Sequence, residues 1–343
     1  MRSPATDPTV GVLLPRDLPV DRILPYARRA EELGFGSVWV VEDLGFRGGI
    51  AQAVAVLAGT ERIRVGIGLL PAGARNVAFA AMEIASLAQL FPGRIDVTVG
   101  HGMPHWMRSV DQWPRSPLTF LREYVDALRA LLRGELTQRR GQYVHLDGVQ
   151  LDPSALPDVV PDILAGVRGP RSLALSGAVA DGTVLAEPVA PAYARAALGH
   201  IAAHRPHRLV AYNIASVDAD PVVALAAVRP GLEWIGEPDW HAHIAPLPFA
   251  DELAALRAGC ASRAEFVGRM PDDWVARLAV AGTPEEARAR LGQLRAAGVT
   301  DSVLAPTGSD PVGALESLAA VLDTETTDRT DNTDNTDTTS TGV

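Results

Sequence analysis

The sequence predicts an α/β chain closed into a (β/α)8 TIM barrel with insertions, and three observations carry that expectation. Short apolar, β-branched runs alternate with longer amphipathic segments along most of the chain. Eight such runs occur before residue 323, within the roughly 200 to over 400 residues that barrels of this kind span. Hydrophobic residues make up 47% of the chain, enough for a large buried core. A doubly wound open sheet is the other arrangement compatible with the alternation.

The first strand is expected over Thr9–Leu14, leading past Pro15 and Pro19 into a helix near Val20–Leu33 that Gly34 ends. Ser37–Val41 reads as the second strand, followed by a glycine-bearing loop and a helix over Ile50–Ala58. Arg64–Leu70 is the third, and a helix over Ala78–Leu90 closes at the Pro92-Gly93 turn. Ile95–Gly100 is the fourth, before a helix over Thr119–Leu132. Gln142–Leu151 then alternates around Asp147-Gly148, a two-residue hairpin signal, and reads as a small antiparallel insertion.

The alternation resumes with strands at Asp162–Gly166, Gly182–Leu185, Arg208–Ser216 and Asp301–Ala305. Helices are expected at Arg171–Val179, Ala192–Ala203 and Pro284–Ala297. The proline-punctuated stretch Asp218–Val280, with helical material at Asp251–Arg257 and Ala264–Met270, reads as an insertion before the eighth strand. One domain over residues 1–322 is therefore expected, with insertions at about 134–160 and 218–280. The tail 323–343, rich in Thr, Asp and Asn, has little to bury and should be disordered.

Composition narrows the chemistry. All 31 of the combined Lys and Arg residues are arginine. A chain without lysine forms no Schiff base and no phosphate loop of the GxxxxGK[ST] type. The net charge of −10 divides evenly, because the tail carries six acids against Arg329. An acidic body with no basic cluster attracts neither nucleic acid nor anionic lipid, so a small molecule is the expected partner. Cys260 stands alone, which excludes an intrachain disulfide and a cysteine-rich metal site. The first residues show no apolar leader and no stretch has membrane-span length, making cytoplasmic residence the default expectation.

In a barrel the reactive groups belong at the carboxyl ends of the strands. After the second strand come Glu42 and Asp43, with Arg47 close by. They can position a ligand or exchange protons, or else pair with Arg47 or cap the next helix. The third strand carries Gly66 and Gly68, which mark a bulge, close approach to a ligand, or relief against a neighbouring helix. Arg75 and Asn76 follow, as a ligand-binding pair or a helix-capping pair.

After the fourth strand, Gly100-His101-Gly102-Met103-Pro104-His105-Trp106 offers His101 as a group that exchanges protons near neutral pH. The His101/His105 spacing lacks a third ligand, and no metal is expected. After the fifth strand, Gly166-Val167-Arg168-Gly169-Pro170-Arg171 opens directly into a helix. Glycines there let main-chain N–H groups approach an anion, the helix start adds partial positive charge, and Arg168 or Arg171 is the natural cationic contact.

Taken together, six segments make the chain resemble the luciferase-like monooxygenase superfamily, in particular its actinobacterial branch of oxidoreductases dependent on the deazaflavin coenzyme F420. They are VWVVEDLGFRGG (Val38 to Gly49), RIRVGIGLLPAGARN (Arg62 to Asn76), PGRIDVTVGHGMPHWM (Pro92 to Met107), SPLTFLREYVDALRALL (Ser116 to Leu132), AGVRGPRSLALSGAVADGTVLAEP (Ala165 to Pro188) and AGTPEEARARL (Ala281 to Leu291). The resemblance implies hydride transfer at a coenzyme F420 or, alternatively, FMN ring in the barrel mouth, and a homodimer. Non-catalytic flavin binding is a further alternative.

Residue by residue, the resemblance matches Glu42 and Asp43 to the acidic pair near the ring, and Gly68-Leu69 to a bulge, often a non-prolyl cis peptide, behind it. It matches Asn76, Gly100, His101 and Gly102 to further contacts, and Gly166 to Pro170 to the phosphate loop. Glu42 and His101 are the expected proton-handling residues. Met103 stands where relatives that oxidise sugar phosphates carry a glutamate, which argues against that substrate.

Overall fold

The structure, a computed structural model, describes residues 9–322. The segment 323–343, expected to be disordered, lies outside the described residues. Eleven strands occur among those described: β1 (Thr9–Leu13), β2 (Ser37–Val40), β3 (Arg64–Pro71), β4 (Ile95–Gly100), β5 (Thr137–Arg140), β6 (His145–Val149), β7 (Ile163–Gly166), β8 (Gly182–Leu185), β9 (Arg208–Val217), β10 (Val280–Gly282) and β11 (Asp301–Pro306). Eight of them pair in parallel in the order β1-β2-β3-β4-β7-β8-β9-β11, and β11 returns to β1. The sheet therefore closes into a barrel, and the open-sheet alternative falls.

Strands buried on both sides carry apolar runs, such as the fully buried Ser37–Val40. Helices with one apolar stripe cover them; Ile23, Tyr26, Ala27 and Ala30 of Ile23–Glu32 face inward. The barrel interior is filled by Trp39, Leu164, Val184, Val210, Tyr212 and Val303. Trp39 and Tyr212 meet edge to face at 5.6 Å. A second core of Val228, Leu232, Phe266, Val275 and their neighbours lies within the helical segment between β9 and β10.

Two elements depart from the sequence pattern. The hairpin between β5 and β6 turns over residues 141–144, not at Asp147-Gly148. The carboxylate of Glu123, on helix Pro117–Leu132, accepts the N–H groups of Gln142, Tyr143 and Val144 at 2.8–3.0 Å, which fixes the reversal there. Gly148, with φ +68°, instead lies near the register irregularity of the ladder. The other departure is β10, a three-residue strand at the end of the expected insertion. It pairs with Ala215–Val217, where β9 extends past the barrel rim.

Candidate active site

At the carboxyl end of β2, Glu42 is fully engaged. Its carboxylate takes a two-pronged contact from the Arg75 guanidinium at 2.9 and 3.0 Å, and accepts the N–H of Gly49 at 2.8 Å. Asp43 pairs with Arg16 at 2.7 Å rather than with Arg47. Arg47 donates instead to the main-chain oxygens of Arg16 and Leu18, joining the loops after β1 and β2. Asn76 caps helix Val77–Leu90 through Ala78 N–H at 2.9 Å, with its side chain otherwise exposed. Arg75 and Asn76 thus do separate jobs.

The Gly68–Leu69 peptide is cis, and the β3–β4 register shifts between Ile67 and Leu70. The bulge is therefore present where the resemblance implies it. The glycines of β3 relieve crowding inside the barrel, not against a helix: a Cβ at Gly66 would collide with Trp39, and one at Gly68 with the Tyr212 hydroxyl. Gly100 and Gly166 likewise leave room for the Leu69 side chain, which lies against both. Four expected contact residues, Gly68, Leu69, Gly100 and Gly166, are thus brought together around the bulge.

His101 joins this cluster to the next loop, its Nε2 lying 3.3 Å from the Ser172 hydroxyl. Burial pushes its pKa down to about 4, so the ring is neutral at pH 7. Gly102 turns the chain with φ +73°, a conformation that favours glycine. Beside His101 runs a narrow crevice of about 10 Å³ bounded by Ala72, Gly73, Gln112, Trp113 and Phe120. It has room for about one water molecule and is far below the roughly 300–1,000 Å³ of most ligand pockets.

The 166–171 loop has the form of an anion cradle. Helix Pro170–Val179 begins at Gly169 with no side-chain cap, leaving its first N–H groups to an outside acceptor. A Cβ at Gly169 would meet nothing within 4 Å. Arg171 is exposed and makes no ion pair among the described residues. Arg168 turns the other way, over the Trp240 ring at 4.8 Å and toward Asp239 O, while its own carbonyl accepts from Tyr193. Val167 is buried beneath.

Sequence reasoning missed Glu187, two residues past β8. Its turn contains a second cis bond, Glu187–Pro188, and three side chains grip the main chain: Trp240 donates to Glu187 O, His243 Nδ1 contacts Pro188 O, and Asn213 accepts from Val189 N–H. Burial raises its pKa and Asp43 adds to that, against Arg168, Arg16 and its own N–H. Position at a strand's carboxyl end was the available signal. Tyr212, whose hydroxyl is buried without a partner among the described residues, gave no such signal from mid-strand.

The profile of the luciferase-like monooxygenase family matches residues 5–301. The chain belongs to that family. Among curated relatives, it is 30% identical to a 5,10-methylenetetrahydromethanopterin reductase of Methanolobus tindarius, covering 89% of this chain and 95% of the relative. It is 28% identical to an F420-dependent glucose-6-phosphate dehydrogenase of Tsukamurella paurometabola, over 76% and 78%. The solved coenzyme F420-dependent tetrahydromethanopterin reductase of Methanopyrus kandleri superposes with a TM-score of 0.78 at 21% identity, covering 92% and 98%, which shows the shared fold. Members of the family are thus similar along almost the whole barrel.

Proposed function

We propose that this chain is an oxidoreductase that uses coenzyme F420 to move a hydride to or from a small organic compound. The observation that carries the reading is the uncapped start of helix Pro170–Val179, open at Gly169 and flanked by Arg171, which has no ion pair among the described residues, at the same mouth as the Gly68–Leu69 bulge. Those features fit a flat ring with an anionic side chain. Relatives named for F420 chemistry support the choice of coenzyme over FMN. When bound, the coenzyme supplies two-electron hydride chemistry.

The chain's own residues divide the remaining work. Main-chain N–H groups from Gly169 onward, with Arg171, hold the phosphate, and Arg168 closes the loop against Trp240. Gly68, Leu69, Gly100, Gly102, Gly166, Val167 and Pro170 shape the wall behind and beside the ring. Glu42 is a positioning residue, since its carboxylate is spent on Arg75 and Gly49. Asp43 with Arg16, and the free amide of Asn76, border the ring. His101 is a neutral hydrogen-bonding group, oriented by Ser172.

Most mouth arginines are already paired or bonded to main chain, which favours a neutral or modestly polar substrate over a sugar phosphate. The protein works as a cytoplasmic homodimer in this reading. Phe79, Met82 and Leu90 form an exposed apolar stripe at helical spacing on Val77–Leu90, suited to a second copy. No helix among the described residues is long and apolar enough to cross a membrane.

Parallel calorimetric titrations of the purified apoprotein with oxidised coenzyme F420 and FMN test the reading. Coenzyme F420 is expected to bind at least about tenfold more tightly, a difference of about 1.4 kcal/mol. Preference for FMN, with oxygen consumption in its reduced form, would replace it with a flavin monooxygenase.

A further inference from the structure

We propose that Glu187 is the catalytic acid of this mouth, supplying the proton that accompanies hydride delivery to a neutral ketone, imine or enone. The proposal rests on the coenzyme F420 reading. Its basis is the contrast among the acidic groups that line the mouth. Glu42 is consumed by Arg75 and a main-chain N–H, and Asp43 by Arg16. The Glu187 carboxyl is largely buried and has no hydrogen bond or ion pair to another side chain among the described residues, its one contact being its own main-chain N–H.

Its position is central and tightly fixed. The electrostatic neighbours of Glu187 are Asp43 after β2, Arg16 after β1 and Arg168 after β7, and it acts in turn on the Tyr212 hydroxyl of β9. In the closed order of eight strands, β2 stands four places from β8 in either direction. Glu187 follows β8 by the same two residues that separate Glu42 from β2, which sets both at the carboxyl ends of the strands. The Tyr212 hydroxyl in turn lies against Gly68, the start of the bulge. Meanwhile Trp240, His243 and Asn213 hold the main chain of residues 187–189 from three directions. An acid on an anchored main chain, with no other side chain bonded to it among the described residues, suits proton delivery, because the donor meets the reacting atom without first leaving an ion pair.

Burial keeps the group protonated to a higher pH than a free glutamate. Burial is the largest influence and Asp43 reinforces it; Arg168, Arg16 and the residue's own N–H oppose. His243 and Tyr212, the other titratable groups packed near the turn, are both held neutral by burial. The step balances as follows. Hydride from reduced coenzyme F420 bonds to the electrophilic carbon, and the π pair moves to oxygen, nitrogen or the enone α-carbon. That atom takes the Glu187 proton, the carboxyl O–H breaks to leave carboxylate, and solvent restores the proton. The coenzyme is oxidised by two electrons as the substrate is reduced.

Infrared titration of the full-length apoprotein tests this without turnover. A protonated-carboxyl band is expected to persist above the ordinary glutamate range, to be missing in Glu187→Gln, and to shift when oxidised coenzyme F420 is added. In single turnovers of reduced coenzyme F420 with a panel of enones, imines and ketones, Glu187→Gln should lose about 100-fold or more. Its coenzyme affinity, read by fluorescence, should stay within about twofold, and Glu187→Asp should recover part of the rate with a shifted pH profile. A band that survives in Glu187→Gln, or an unchanged rate and pH profile, overturns the proposal alone. Failure of the wild-type protein to bind coenzyme F420 overturns the coenzyme reading and the proposal with it.

Discussion

At the amino ends of the strands, Asp96 of β4 is buried between Arg64 of β3 at 2.5 Å and Arg208 of β9 at 2.7 Å. Arg208 also reaches Asp301 of β11 at 3.0 Å, and Thr9 of β1 donates to the same carboxylate at 2.8 Å. At the carboxyl ends, Glu187 has no side-chain partner, His101 is held neutral, and the helix at Gly169 begins uncapped. Both ends are built from residues on several strands, yet the amino end shares its buried charges in one network, while the carboxyl end pairs Glu42 and Asp43 and leaves Glu187 and Arg171 without an ion pair among the described residues. A saturated network ties strands together and has nothing left for a ligand. An open set costs stability and is available for chemistry.

The most direct way to break this contrast is to unsaturate the closed end. Asp96→Ala leaves two partly buried guanidinium groups facing each other without their shared carboxylate. It is expected to cost about 3–5 kcal/mol in denaturant unfolding. A loss under about 1 kcal/mol would mean that the network ties little together.

Acid should act first through buried histidines at both ends, since burial and Arg205 also lower His207, beside Arg208 at the closed end, to about 4. Burial lowers the pKa of His101 to about 4 and of His243 to about 3, from an ordinary 6.5. Because the unfolded chain binds those protons first, stability falls as pH drops from 6.5 toward 4. Burial would raise the pKa of Asp96, but Arg208 and Arg64 outweigh it and hold it down to about 2. Its contribution is complete above about 3.8 and is lost only as pH falls toward 2. Hydrogen exchange against pH should show a first loosening between pH 6.5 and 4 that Asp96→Ala leaves in place, and a second toward pH 2 that it removes; a second step unchanged in Asp96→Ala would contradict the role of the network.

The smallest effect on the fold is expected from Gly169→Val, which sharpens the comparison from the open side. The added side chain enters free space at φ −87°, so unfolding free energy should change by less than about 1 kcal/mol. Affinity for coenzyme F420 should fall at least about tenfold, read by calorimetry. Equal affinity would remove this loop from the anion site.

Period and punctuation made the barrel legible. Apolar runs buried on both sides fix parallel strands, and the eight barrel strands lie within one or two residues of where alternation places them. The 166–171 loop was legible for the same reason, since glycine and proline at a strand-to-helix junction constrain the main chain locally. The misplaced hairpin turn was not legible, because Glu123, some twenty residues away, selects it over the local Asp147-Gly148 signal.

What the sequence alone determined is therefore whatever depends on neighbours along the chain: strand and helix positions, the α/β class, the absence of lysine chemistry and the helix start at Gly169, whereas closure rests on the pairing of β11 with β1. Only the tertiary structure decided which charges are spent. Glu42 and Glu187 are the same residue type at corresponding strand ends, and no local pattern separates them. Arg75, from a different loop, neutralises one, while the other has no ion pair among the described residues. The energy of a charge depends on distances across space, and those are set only when the barrel closes.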